Sequence, residues 1–320
     1  MNGESMRKNR RSKKQIKKKI IRKKIFVFMI FLIFCGSLFF LSKLFFHLLE
    51  ESEYHKKQLE ILNKKLESSE VEQLLNSEDE KKDEIINIVI DKYYKKENHK
   101  RYIKYLNKNE KLSIRSIVEA VNCNLDYNYY SHDKEADLSK GFLVLVNKYY
   151  KLSEHYVPDN LVKVESVHGD GRYINKDVYL AFIKMYNDIK KENMSIYIAS
   201  PYRSYAYQKK LYNNYVSKNG VEKADTFSAR AGYSEHQTGL AMDISDGKIS
   251  YTNFENTDEY KWMLKNAHKY GFILRYPKGK EKQTGYMFES WHYRYVGEKV
   301  AKYIHENNIT FDEYYEYFLK

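Results

Sequence analysis

Apolar residues are concentrated unevenly along the 320-residue chain, and the first concentration is the longest. Ile25 to Ser42 reads IFVFMIFLIFCGSLFFLS, 18 residues without a charge, and beyond Lys43 the run resumes as LFFHLL to Leu49. A membrane-spanning helix needs about 20 apolar residues, and a Lys near its end can snorkel to the interface. The pattern therefore predicts a transmembrane helix over 25–49. A signal peptide would have a shorter apolar core and a small-residue exit, which this bulky, Phe-rich stretch lacks. Phe34 before Cys35 argues against a lipoprotein site.

The next stretch, 50–98, begins with mixed charge. Leu59, Leu62 and Leu66 have a/d spacing that does not persist for three heptads, which predicts a short helical stalk or flexible linker. Residues 99–138 form a small helical preface, with Ser113 capping a helix whose face carries Ile114, Ile117, Val118 and Val121. From residue 139 the period alternates. GFLVLVN (141–147), SIYIAS (195–200), LAMDIS (240–245), FILRY (272–276) and MFESWHYRYV (287–296) read as strands. Asn175 to Asn193, residues 204–219 closed by Gly220, Thr257 to Tyr270 and Glu298 to Asn307 read as helices. Thr310 and Glu313 form a capping box for a last helix over 310–320. No Gly-rich dinucleotide loop follows any strand. The fold class predicted is α+β, a central antiparallel sheet flanked by helices over 139–309, preceded by the transmembrane helix and the helical stalk.

Charge sharpens this organisation. The chain carries a net +13, which alone would raise nucleic acid as a partner. Residues 1–24 hold twelve basic side chains against Glu4, so +11 lies on this tail and only +2 on the remaining 296 residues. A Lys/Arg-rich flank stays cytoplasmic. The reading is a single-pass membrane protein with residues 1–24 inside and residues 50–320 outside, and with no nucleic-acid partner. Two cysteines exclude a disulfide scaffold, since Cys35 lies in the span and Cys123 stands alone outside it.

Two segments stand out as candidate chemistry. In SARAGYSEHQTGLAMDIS (228–245), Asp243 interrupts an apolar strand, and a carboxylate there is costly unless it pairs or binds a cation. His236 lies seven residues before it, across Gly239. In MFESWHYRYVG (287–297), Glu289, Trp291 and His292 fall together. His, Asp and His are three N/O ligands with one position left open, the ligand count of a catalytic zinc. Glu289 is then a spare carboxylate suited to general-base work. Arg203, between a strand and a helix in ASPYRSYAYQ (199–208), suits an anion. Seven of the other histidines sit in polar, helical or membrane-flanking contexts, and His168 falls in a turn.

Together SEHQTGLAMDIS, ESWHYRYVG and PYRSYAYQ resemble the VanY-type D-alanyl-D-alanine carboxypeptidases, zinc peptidases of the hedgehog/DD-peptidase fold. The likeness extends over about residues 100–308, with Ala231 where the family pattern would have Pro. It implies one zinc held by His236, Asp243 and His292, and a base at Glu289. It implies an oxyanion partner at Arg203, which also binds substrate, and further substrate contacts at Gln208 and Ser234. Trp291 would pack beneath His292. The implied substrate is a peptidoglycan stem peptide losing its terminal D-alanine. An L,D-carboxypeptidase acting on tetrapeptide stems, and a non-catalytic cell-wall-binding module, are the alternatives. The intact Glu289 speaks against the module.

Overall fold

The computed structural model describes residues 39–320 together with Lys23, Lys24, Met29 and Gly36. It divides into two units, Met1–Ile90 and Asp91–Lys320.

In the first unit, helix α1 (39–65) is followed by α2 (Ser68–Leu75) and α3 (Lys82–Ile90). Of the expected anchor over 25–49, the part over 25–38 lies outside the described residues, Met29 and Gly36 excepted. Among the described residues, no helix is long and apolar enough to cross a membrane. The part of α1 that is described carries exposed Phe39, Phe40, Leu44, Phe45, Phe46 and Leu49. Farther on, Leu62 and Leu66 are buried while Leu59 is exposed, so the stalk has one apolar stripe. Glu67 and Glu70 exchange backbone and side-chain bonds at the start of α2, a capping box.

The second unit opens with α4 (His99–Lys108) and α5 (Ile114–Asn122), the preface that the sequence predicts. Ser113 caps α5 by accepting from the Ser116 N–H at 3.1 Å. Two small ribbons follow. Strands β1 (Lys134–Glu135) and β2 (Tyr150–Lys151) pair in parallel, and β3 (Leu161–Lys163) and β4 (Tyr173–Asn175) pair antiparallel. Helix α6 (Lys176–Lys190) buries Val178, Phe182, Met185 and Ile189. These join one core with Ile198, Met242, Ile244 and Tyr293 of the main sheet. Each such side chain withdrawn from water contributes about 1.5–3 kcal/mol.

That sheet has the order β5 (Tyr197–Ser200), β6 (Ala241–Ser245), β8 (Glu289–Tyr295), β7 (Phe272–Tyr276), and every neighbouring pair is antiparallel. Around it run α7 (Tyr205–Asn219), α8 (Val221–Phe227), α9 (Asp258–Asn266), α10 (Glu281–Thr284), α11 (Glu298–Asn307) and α12 (Phe311–Phe318). The antiparallel sheet flanked by helices is thus present. Thr310 and Glu313 make the capping box of α12.

One predicted strand is absent. GFLVLVN (141–147) is instead a 3-10 segment, Leu138–Leu143, broken at Gly141 with φ 55°, followed by buried chain through Val146. The cause is a side chain. Arg294 Nη2 donates to the carbonyls of Phe142 at 2.9 Å and Val144 at 2.7 Å, taking acceptors that a ladder would need. The predicted helix Thr257–Tyr270 is also divided, into α9 and a 3-10 turn at Ala267–Tyr270.

Candidate active site

Side chains alternate across a strand, so Asp243 leaves β6 on the face opposite Met242 and Ile244. His292 is the register partner of Asp243 on β8, which sets the two side chains side by side. His236 arrives from the 3-10 turn Glu235–Thr238. That turn ends at Gly239 with φ 70°, where an added Cβ would meet Leu161 at 3.0 Å and the Asn175 nitrogen at 3.2 Å. Only glycine suits both that conformation and that approach. The turn is what lets two residues seven apart face one another.

One ligand atom from each of His236, Asp243 and His292 lies within 4.8 Å of the others. His236 Nε2 is 3.4 Å from Asp243 Oδ1, and His292 Nδ1 is 3.3 Å from the same oxygen. The imidazole rings meet at 89° with centroids 4.8 Å apart. All three side chains are buried. Nδ1 of His236 lies 2.8 Å from the Pro201 carbonyl, which can only accept, so Nδ1 carries the proton and Nε2 a lone pair. Yet His236 Nε2 and Asp243 Oδ1 have no hydrogen-bond partner. Two unpaired buried acceptors aimed at each other are each worth roughly 1–3 kcal/mol of lost stability. A cation between them removes that deficit, and the N/O donor set suits zinc.

Glu289 completes the group, with Oε2 3.6 Å from His292 Nδ1. Residues three apart on a regular strand point to opposite faces. Here the pairing slips, with Leu274 opposite Tyr293 but Tyr276 opposite Glu289, so two steps of β7 match four of β8. The bulge turns Glu289 onto the face of His292.

The charges are strongly coupled. Burial opposes ionisation of Asp243, but His236, His292 and Arg203 hold its carboxyl well below the usual range. Burial, with Arg203 adding to it, lowers His236 to about 4. Burial also raises Glu289 to about 8, with Asp243 adding and His292 opposing. Burial works against charging His292, yet hydrogen bonding to Asp243 and Glu235 lifts it to about 9.

Arg203 joins this group. Its Nη2 is 3.4 Å from Asp243 Oδ2, and its Nη1 donates to Gln208 Oε1 at 3.0 Å. Gln208 Nε2 in turn donates to the Ala229 carbonyl at 2.7 Å. Gln208 therefore holds Arg203 in place, and it is also one of the residues lining the cleft. Ser234 also lines the cleft. The cleft encloses about 770 Å³, with Arg203 and Glu289 among its walls and Tyr207, Tyr215, Tyr251 and Trp291 supplying aromatic surface. The ring against His292 is Tyr276, with centroids 4.8 Å apart, whereas Trp291 meets Tyr251. His168 bonds the Tyr179 hydroxyl at 2.8 Å and packs on Tyr186, a structural histidine.

A family profile described as VanY, D-alanyl-D-alanine carboxypeptidase, matches residues 171–298. YodJ of Bacillus subtilis is 42% identical over 211 residues, 60% of this chain and 76% of YodJ. The bifunctional D-Ala-D-Ala dipeptidase and carboxypeptidase VanXYC of Enterococcus gallinarum is 31% identical over 180 residues, 55% of this chain and 94% of that protein. The chain belongs to the VanY D-alanyl-D-alanine carboxypeptidase family. Among solved structures, that of the LdcB LD-carboxypeptidase superposes with a TM-score of 0.54 at 42% identity, covering 58% of this chain and 91% of LdcB. VanY-family enzymes are zinc-dependent peptidases, and this chain is a carboxypeptidase of the VanY and LdcB kind.

Four charged residues near the VanY site carry no motif of their own. Glu235, Arg275, Arg294 and Asp312 form a buried network next to His292. For Arg275 and Arg294 the signal in the sequence is a charge inside an apolar strand, FILRY and SWHYRYV, the same feature that singles out Asp243, whereas Glu235 in its turn and Asp312 in α12 carry none.

Proposed function

We propose that this chain releases the terminal D-alanine from peptidoglycan stem peptides, with zinc held by His236, Asp243 and His292. The observation that carries the reading is the pair of buried, unpartnered acceptors at His236 and Asp243, with Glu289 and Arg203 beside them in an open cleft. Zinc in this donor set supplies Lewis-acid chemistry to the scissile amide. Glu289 accepts a proton from the attacking water as its oxygen bonds to the carbonyl carbon. The same carboxyl then delivers the proton to the nitrogen as the C–N bond breaks, so atoms and charge balance. Arg203, braced by Gln208, faces the oxygen on which negative charge develops. Glu289 has to be in its carboxylate form to take this proton, and positive charge held by His236, Asp243 and His292 would favour that form.

The 42% identity to the LdcB LD-carboxypeptidase, against 35% to the D-alanyl-D-alanine carboxypeptidase of Enterococcus faecium, supports an L,D-carboxypeptidase acting on tetrapeptide stems. The family name supports the second reading, a D,D-carboxypeptidase acting on pentapeptide. Mass analysis of products from both stems, with and without a chelator, separates them. Release of free alanine from neither stem overturns the proposal, and so does chelator-resistant activity.

The same proposal locates the chain. The apolar run over 25–49, the basic tail before it and the exposed Phe and Leu on α1 support a single-pass anchor with the enzyme outside the membrane. Protease accessibility of the Asp91–Lys320 unit in intact cells tests this, and protection of that unit contradicts it.

A further inference from the structure

His292 turns Nδ1 toward Asp243 and Glu289, and its other nitrogen, Nε2, lies 3.5 Å from Glu235 Oε2. Both of these atoms are buried, and neither has a hydrogen-bond partner, so each is the nearest opposite group the other has. The other carboxylate oxygen of Glu235 is fully engaged. Its Oε1 accepts from Arg275 Nε at 2.7 Å and from Arg294 Nη1 at 3.0 Å. The two guanidinium groups are held in turn. Arg275 donates to both oxygens of Asp312, at 2.6 and 3.2 Å, and Arg294 donates to the carbonyls of Phe142 and Val144. The Glu235 side chain is 0% exposed and is gripped by both arginines.

We propose that Glu235 is a positioning residue for the metal site, accepting the Nε2–H of His292 and so fixing the lone pair of Nδ1 toward Asp243. The inference rests on the reading of His292 as a zinc ligand. It explains why the two histidines face the site through different nitrogens. His236 is held by a neutral carbonyl on Nδ1 and offers Nε2. His292 is held by a carboxylate on Nε2 and offers Nδ1. A carboxylate partner makes an imidazole a stronger donor as well as an oriented one. The network also accounts for the cost of burying Glu235: one anion stands between two cations and one imidazole, and no charge in it lacks an opposite.

The test uses the full chain in detergent, with zinc titrated against a chromophoric chelator for the wild type, Glu235→Gln and His292→Ala. Zinc affinity of Glu235→Gln is expected to fall about 10–100-fold, the usual cost of removing a partner of a ligating histidine. Histidine-labelled ¹⁵N NMR of the zinc-loaded wild type is expected to show a slowly exchanging His292 Nε2–H, assigned by its absence in His292→Ala. This second readout decides the matter if Glu235→Gln does not fold. Wild-type zinc affinity in Glu235→Gln, or metal on Nε2 of His292, overturns the role of Glu235. Wild-type affinity in His292→Ala overturns the underlying ligand assignment instead.

Discussion

Two buried clusters of charge share strand β8, and they differ in how completely their atoms are paired. Around Glu235 every guanidinium has a carboxylate or carbonyl partner, Arg275 and Arg294 are both fully enclosed, and only Glu235 Oε2, which faces His292, is left without a hydrogen bond. Around Asp243 the side chains are just as close, but His236 Nε2 and Asp243 Oδ1 face each other at 3.4 Å without a hydrogen bond to either. Burial is the same and chemistry is nearly the same. What differs is unmet valence. A satisfied cluster holds elements in register. An unsatisfied one is unfavourable on its own and is accounted for by something that binds there. The satisfied cluster also stands immediately behind the unsatisfied one, through the 3.5 Å approach of Glu235 to His292.

The sharpest way to break this division is Glu289→Gln. Glu289 belongs to the unsatisfied side yet is not among the three ligands, so its loss should lower kcat about 10²–10⁴-fold while zinc affinity stays within a few-fold of wild type. Steady-state kinetics and a chelator competition read the two quantities separately. Activity at the wild-type level removes Glu289 from the mechanism.

Arg275→Met tests the satisfied side. It leaves Glu235 and Asp312 without their shared cation, and an uncompensated buried charge costs about 3–5 kcal/mol. Chemical denaturation of the zinc-free protein should show a loss of that order. A loss below about 1 kcal/mol would mean that the network contributes little to the fold, as surface pairs do.

Arg203→Met probes the border, since Arg203 touches Asp243 and faces the cleft. If it meets the developing oxyanion, kcat falls about 10²–10³-fold with KM changed much less. A rise in KM alone assigns Arg203 to binding the substrate carboxylate.

The contrast also explains what could be read from the sequence. LAMDIS and FILRY announce themselves as strands by alternation, and the break at Asp243 announces a polar demand. His236, Asp243, His292 and Glu289 were legible because their motifs are local. Three features were not. The bulge that turns Glu289 toward His292 depends on the register between β7 and β8, which no single segment encodes. GFLVLVN looks like a strand, but Arg294, some 150 residues away, takes its carbonyls. The partners of Glu235 lie 40 and 59 residues downstream, so its company is a property of the folded sheet. The bracing of Arg203 by Gln208 is likewise a contact of the folded structure that no single segment announces.

The smallest effect asks how far the support of His292 extends. Asp312 reaches Arg275 from α12, whose first turn is fixed by Thr310 and Glu313. Thr310 Oγ1 accepts from the Glu313 N–H at 3.1 Å, and Glu313 Oε2 accepts from the Thr310 N–H at 2.6 Å. Thr310→Ala removes the first of these bonds and should lower stability by about 1 kcal/mol, as lost caps do. Asp312 sits two residues past the cap, and its bonds to Arg275 and Asn147 keep it in place without it. Zinc affinity should therefore be unchanged in Thr310→Ala, measured beside the wild type. A tenfold weaker affinity would show instead that the two clusters are one unit, and that the metal ligand depends on a helix lying outside the residues matched by the family profile.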